Sequence, residues 1–357
     1  MLNRNEISIL KSLFIFSYLF IIIIICKFKK LYDLYFNRGF LTNFNNSIEN
    51  TFFFFKENDS INNNMPMINI SLSLDNSHIY QTLVVMTSVL ENNNQSNHYI
   101  IFYLLLSYDF DSRNLIIFES LKMKYQLVIK YYYIPNLFNN LRKWKKNSTA
   151  IYFKLLIPML IPNTKRIIHL DGDTLVFRDL WELFNLPFED NYYLAQPTRK
   201  YTFKDKKMNK RVINVGVMLI NIEKIRKDNK DFEIFYYLFK RRFTEQLAIN
   251  YVCYPKIGYL PFKYGIFANI HKKNKTYTNY LRMKLNKKVN KTEVIESIIN
   301  PSIVHILCCR PKHWYKRNKT NDKASYEICL KFQNYFYYYA KKTNYFTDIY
   351  NKFMKKL

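Results

Sequence analysis

The chain has 357 residues, with 55 Lys+Arg against 27 Asp+Glu, a formal charge of +28. Hydrophobic residues make up 49% and only 5 residues are Gly, which excludes a collagen-like, linker-like or low-hydrophobicity disordered chain. The five cysteines are odd in number and unevenly spaced, so neither a zinc pattern nor a disulfide framework is expected. The length suits one large domain or two small ones. A basic excess invites a nucleic-acid partner. Here the abundant residues (Lys, Asn, Ile, Tyr, Phe) are those of AT-rich codons, and the basic ones are spread along the chain, so no nucleic acid is expected.

Residues 1–30 read as a signal anchor. Ile7 to Phe28 is apolar except for Ser8, Lys11, Ser12, Ser17 and Lys27, and Leu13 to Cys26 carries no charge. About 20 apolar residues span a bilayer, and no small-x-small cleavage site follows. Residues 31–66 read as a polar, Asn-rich stem, except for Phe52 to Phe55, which pack on the domain or the membrane. From Met67 the texture changes. Strands are expected at Met67–Leu74, Tyr99–Leu106 and 127–134, and helices at Ile79–Leu90 and 111–125. Arg166–Leu170 and Val212–Ile220 are further short apolar runs. Strands alternating with helices indicate an α/β fold with a mainly parallel sheet. Residues 318–357 read as a basic aromatic C-terminal helix. Two readings of it stay open. Either Phe332, Tyr335, Phe336 and Tyr339 face lipid while Lys341, Lys342, Lys352, Lys355 and Lys356 meet headgroups, or the helix packs on the domain.

The sharpest feature is His169-Leu170-Asp171-Gly172-Asp173-Thr174. Two carboxylates flank a glycine directly after an apolar strand, and ligands of open α/β sheets bind at the carboxyl ends of strands. Gly172 is expected to allow a tight turn. Two close carboxylates repel unless a cation neutralises them, and a hard divalent ion that also bridges a diphosphate is the natural partner.

The surrounding segment 149–186, with Tyr152, Lys154, Pro158 and Asp179-Leu180, resembles glycosyltransferase family 8, retaining nucleotide-sugar transferases with a GT-A domain. The family pattern there is roughly Y-x-R-x-x-x-P-x-x-L-P, then Y-L-D-x-D-x-x-V, then D-L-x-x-L. Other stretches fit in order: Ser73-Leu74-Asp75-Asn76, Asn214 to Asn221, Glu245 to Asn250, Leu260-Pro261 with Tyr264, and His305 to Trp314. The resemblance covers about 67–315 and implies a GT-A type domain, Rossmann-like, over 67–317.

It also implies roles. Asp171, Asp173 and His305 would ligate Mn²⁺ or Mg²⁺, and Lys312 would meet the diphosphate. Asp75 would contact the nucleobase, and Lys154, in place of the family's Arg, would lie near the donor. Asn214 and Gly216 would approach the donor sugar or the acceptor. Gln246, with Glu245 beside it, would lie near the anomeric carbon. The implied reaction moves a hexose or xylose from a UDP-sugar to a glycan, lipid-linked or protein-linked acceptor. Departures occur at His78, Leu247 and Cys308-Cys309, where the family has a base-stacking aromatic, an acid and a glycine. They motivate a rival reading, an inactive glycan- or nucleotide-binding relative; a basic membrane or nucleic-acid binder is a second rival. With the anchor, a eukaryotic chain would be a single-pass type II Golgi or ER enzyme, the favoured expectation. Eight N-x-[ST] sequons (Asn45, Asn58, Asn69, Asn94, Asn147, Asn274, Asn290, Asn318) permit it. A bacterial chain would face the cytosol.

Overall fold

The computed structural model describes residues 53–54, 65–93, 98–139, 141, 148–161, 163–198, 203, 212–268, 291–307, 312–315 and 323–355. In chain order these form β1 (Phe53–Phe54), β2 (Met67–Leu74), α1 (Ile79–Asn93), β3 (Tyr99–Ser107), β4 (Leu127–Ile134), β5 (Arg166–Leu170), β6 (Thr174–Val176), β7 (Tyr193–Pro197) and β8 (Ile213–Asn221). Then come α2 (Lys230–Arg241), α3 (Glu245–Cys253), β9 (Ile257–Tyr259), β10 (Tyr264–Phe267), α4 (Lys291–Ile299), β11 (Ile303–His305), α5 (Lys323–Ala340) and α6 (Phe346–Met354), with shorter helical turns between.

An eight-stranded sheet runs β1-β4-β3-β2-β5-β8-β7-β9, and a three-stranded sheet runs β10-β11-β6. Strands β4, β3, β2 and β5 are parallel to one another, whereas β8 is antiparallel to both β5 and β7. This is the expected α/β sheet, mainly parallel. β3 is buried over Ile100–Ser107. A parallel strand covered on both faces reads as a continuous apolar run rather than an alternating one, and Ile-Ile-Phe-Tyr-Leu-Leu-Leu is such a run. Two apolar layers result. One packs α1, α5 and α6 on the sheet; the other packs α2, α3 and the turns around Tyr152 and Phe153 on the opposite face.

Several expectations change. Residues 111–125 form a succession of short 3₁₀ and α turns rather than one helix, opened by Asp111, whose side chain accepts from the Arg113 amide at 3.0 Å. Phe53–Phe54 pairs antiparallel with Tyr131 and Tyr132 of β4, so the expected stem contributes an edge strand. Asn69 lies inside β2 and its side-chain oxygen accepts from the Tyr103 hydroxyl at 3.2 Å, which removes it as a glycan acceptor; the other seven sequons lie outside the described residues. Cys329 is disulfide-bonded, against the expectation, whereas Cys253 is buried and in no disulfide. Residues 1–30, expected to anchor the chain, lie outside the described residues; among the described ones no helix is long and apolar enough to cross a membrane.

The tail settles on the domain. Phe332 and Phe336 of α5 are 1% exposed, inside the same core as β2 and α1. Phe336 meets the rings of His313, Trp314 and Phe353 with centroids 5.4, 6.0 and 6.1 Å away. The Tyr339 hydroxyl donates to the Val176 carbonyl at 3.0 Å. The side chains expected to face lipid are thus already buried against protein, Tyr335 excepted, which stays 38% exposed. Truncating a fully buried aromatic costs about 3–5 kcal/mol. Phe336→Ala is expected to lower unfolding free energy by that amount in guanidinium titrations, whereas Tyr338→Ala, at the exposed surface of the same helix, shifts it by less than about 0.5 kcal/mol.

Candidate metal and donor site

The site forms where β5 ends and β8 begins, beside the second sheet. Ser71 of β2 is the register partner of His169 in β5, so the segment after β5 leaves the sheet close to the end of β2. The Asp171 amide then donates to the Gly216 carbonyl at 2.7 Å, fixing Asp171 against β8. β6 pairs antiparallel with β11, with His305 opposite Thr174. That pairing brings His305 to Asp173 across 132 positions of sequence, Nε2 to Oδ1 2.9 Å. Ligand atoms of Asp171, Asp173 and His305 lie within 4.8 Å of one another.

Each of the three side chains has an orienting partner. His305 Nδ1 donates to Asn214 Oδ1 at 3.1 Å, which leaves Nε2 as the nitrogen facing the two carboxylates. Asn214 Oδ1 also accepts from the Gly216 amide at 3.0 Å. Lys154, 1% exposed in its side chain, donates to Asp171 Oδ1 at 2.6 Å and to the Val215 carbonyl at 3.0 Å. Lys312 donates to Asp173 Oδ2. Two carboxylates with one imidazole form a donor set that suits a divalent cation, so the residues present fit a metal. Gly216 is required by the same crowding. A Cβ there would lie 2.1 Å from His305 Cε1 and 2.6 Å from Asp171 Oδ2. Gly172 carries no such demand: an added Cβ meets nothing within 4 Å and its φ is not positive. The tight turn expected at Gly172 forms, closed by the Thr174 amide donating to the Asp171 carbonyl at 3.1 Å, but its geometry does not require a glycine and open space lies over it.

The charges respond to this packing. Burial by itself would raise the Asp171 carboxyl, but Lys154 and His169 hold it well below the usual carboxylate range. Asp173 follows the same logic, with His305 and Lys312 outweighing burial. His169 goes the other way: burial, then the charge of Lys154, pushes it down to about 4, so it is neutral at pH 7. Burial raises Glu245, against the pull of Lys154.

The remaining candidates lie around this centre. Thr244 caps α3 by accepting from the Leu247 amide at 3.4 Å, which sets Glu245 and Gln246 in its first turn. Gln246 Oε1 accepts from Asn214 Nδ2 at 3.3 Å, while Glu245 Oε2 is buried with no hydrogen-bond partner among the described residues. Asp75 serves the start of α1: its Oδ1 accepts from the Ser77 amide at 2.9 Å and contacts His78 Nδ1 at 2.8 Å. Burial opposes, and hydrogen bonds from His78, Ser148 and Ser77 win, so its carboxyl is held low. Cys308 and Cys309 lie outside the described residues.

Three residues escaped the sequence reading. Asn250, fully buried, exchanges hydrogen bonds with Ile213 (2.7 and 3.0 Å) and ties α3 to β8. Ser71 and His169 stand behind Asp171. A histidine directly before Leu-Asp-x-Asp was the available signal for one of them.

Residues 69–318 match the family model described as Glycosyl transferase family 8. The chain is 25% identical over 235 residues to the lipopolysaccharide 1,2-glucosyltransferase of Escherichia coli, covering 60% of this chain and 68% of that one. It is 25% identical over 214 residues to general stress protein A of Bacillus subtilis, covering 56% and 72%. Among solved structures, galactosyltransferase LgtC in complex with donor and acceptor sugar analogues superposes with a TM-score of 0.56 at 17% identity, over 74% of this chain and 96% of that one. The bifunctional glycosyltransferase WbbM gives 0.64 at 16% identity, over 82% of this chain and about half (53%) of that one. These two structural likenesses establish a shared fold.

Gly216→Ala tests the close approach. Its Cβ collides with His305 and Asp171, so the Mn²⁺-induced rise in Tm that a ligand of the native state produces is expected to vanish in the variant. An undiminished rise would show that these two side chains do not share a metal at this place.

Proposed function

The chain belongs to glycosyltransferase family 8, and from that membership we propose that it is a retaining, metal-dependent transferase that moves a hexose or xylose from a UDP-sugar to a glycan, lipid-linked or protein-linked acceptor. The observation that carries this reading is the convergence of Asp171, Asp173 and His305 within 4.8 Å beside the sheet end where nucleotide ligands of α/β folds bind. LgtC, which shares the fold, is described with donor and acceptor sugar analogues, and the E. coli relative is named for glucosyl transfer to lipopolysaccharide. Both support a sugar-donor site and a glycan acceptor.

Asp171, Asp173 and His305 would hold Mn²⁺ or Mg²⁺; the imidazole favours Mn²⁺. Bound there, the ion supplies Lewis-acid stabilisation of charge on the departing diphosphate. The other roles fall to side chains. Lys312 reaches Asp173 on a flexible stem, and the same ammonium offers a point charge to the diphosphate. Lys154 is spent on Asp171 and the Val215 carbonyl, so its service to the donor runs through Asp171. Asn214 joins the His305 ring to Gln246, which aligns the metal side of the pocket with the side proposed for the anomeric carbon. The Gln246 carbonyl and the unpaired Glu245 carboxyl oxygen are the electron-rich groups placed to stabilise an oxocarbenium-like transition state. Asp75 marks the nucleobase end, in a loop stiffened by Ser77 and His78.

We further propose that residues 1–30 attach the enzyme to a membrane, because the apolar run Ile7 to Phe28 is of spanning length and its centre, Leu13 to Cys26, carries no charge. A eukaryotic host would make it a type II Golgi or ER enzyme, and a bacterial host would place its domain in the cytosol.

A second reading, an inactive nucleotide- or glycan-binding relative, draws on Lys154 and Lys312, which pair with the two aspartates in place of a metal ion. Turnover separates the two. Wild-type protein is expected to release UDP from a UDP-sugar with Mn²⁺ and to stop with EDTA, and Asp171→Asn or Asp173→Asn is expected to lower that rate by about 10²–10³-fold or more. Unchanged turnover in either variant would sink the metal mechanism, and a wild-type chain that binds UDP without any turnover favours the inactive relative.

A further inference from the structure

Asp171 uses its two oxygens differently. Oδ1 is gripped by two donors, Lys154 Nζ at 2.6 Å and His169 Nε2 at 3.2 Å. Among the described residues no hydrogen bond reaches Oδ2. That oxygen instead lies in the gap left by the missing Cβ of Gly216, 3.9 Å from His305 Nε2. His169 is itself held from behind: its Nδ1 lies 3.0 Å from Ser71 Oγ, and Ser71 and His169 are register partners in neighbouring parallel strands. Both are fully buried.

The proton order follows from the ends of the chain. A carboxylate only accepts, so the Nε2 facing Asp171 carries the hydrogen. Nδ1 is then the acceptor, and the Ser71 hydroxyl donates to it; the alternative acceptor, the Ile168 carbonyl, is more distant at 3.5 Å. An imidazole buried at a strand centre is costly unless both nitrogens are bonded, and here one of those bonds ends on a metal-facing carboxylate.

We propose that Ser71, His169 and Lys154 form a buried bracket that commits Oδ1 of Asp171 to the protein and presents Oδ2 alone to the cation, making Ser71 and His169 positioning residues of the metal site. The proposal rests on the metal reading above. Asn214 does for His305 what His169 does for Asp171: each ligand is turned by a neighbour on the sheet, so the ligand atoms are aimed before the ion arrives. Outer partners of this kind typically govern metal affinity by about 10–100-fold.

The test is Mn²⁺ binding to the full chain in the presence of UDP, read from the loss of the free-Mn²⁺ electron paramagnetic resonance signal. His169→Phe keeps the bulk and removes both hydrogen bonds; its Mn²⁺ Kd is expected to rise about 10–100-fold. His169→Gln, whose amide N–H again reaches toward Asp171, is expected to recover much of that loss, which a purely space-filling role would not produce. Ser71→Ala is expected to shift Kd in the same direction by less. A folded His169→Phe protein with Kd within about twofold of wild type, against the 10–100-fold expected, overturns the bracket while leaving the metal site standing. Should His169→Phe fail to fold, an unchanged Kd in Ser71→Ala overturns it equally. A wild-type chain that leaves the free-Mn²⁺ signal undiminished defeats the metal reading and the bracket together.

Discussion

Two carboxylates held two residues apart on the same side of a sheet end repel one another, and much of the surrounding architecture answers that repulsion. Asp171 and Asp173 are only part-exposed, so water alone does not screen them. Lys154 reaches Asp171 from beneath, Lys312 and His305 reach Asp173 from the far side, and the balance keeps both acids ionised. Breaking a pair of this kind leaves a buried charge uncompensated, which costs far more than the pair contributes. The cluster is therefore poised for a ligand that brings positive charge, and it holds its shape in that ligand's absence because lysines stand near where the cation would.

The sheet order makes this cluster. Parallel pairing of β2 with β5 stacks Ser71 beside His169, antiparallel pairing of β5 with β8 brings Gly216 under Asp171, and the small second sheet delivers His305. The C-terminal helices belong to the same economy of contacts. Phe332, Phe336 and Phe353 complete the apolar layer over α1 and β6 and wedge the Trp314 segment against it, two residues beyond Lys312. What reads in sequence as a basic aromatic tail is thus a wall of the domain, with its lysines left at the rim.

Much of this was legible beforehand. Apolar runs and alternating helical stretches located β2, α1, β3 and β4. The spacing of Asp171 and Asp173 after a strand located the site, and the ordered motifs pointed to the family that the chain belongs to. The misses share a cause. Phe53–Phe54 becomes a strand only because β4 has a free edge, and 111–125 breaks into turns because its ends are set by the strands it joins. Ser71 and Asn250 are small polar residues inside apolar runs, and nothing local distinguishes a hydrogen-bonded strand polar from an ordinary one. Gly172 was credited with a turn that needs no glycine, while Gly216 carries the steric demand because His305 approaches from 89 positions away in sequence (305 − 216).

The sequence by itself determined the fold class, the chemical type of the site and the family, because those depend on periodicity and on short spacings that survive in one dimension. Tertiary structure alone decided which oxygen of Asp171 is left without a hydrogen bond, which nitrogen of His305 faces the carboxylates, and that the aromatic tail packs inward. Each of these depends on contacts between segments far apart in the chain, and no local pattern encodes the direction from which a distant side chain arrives.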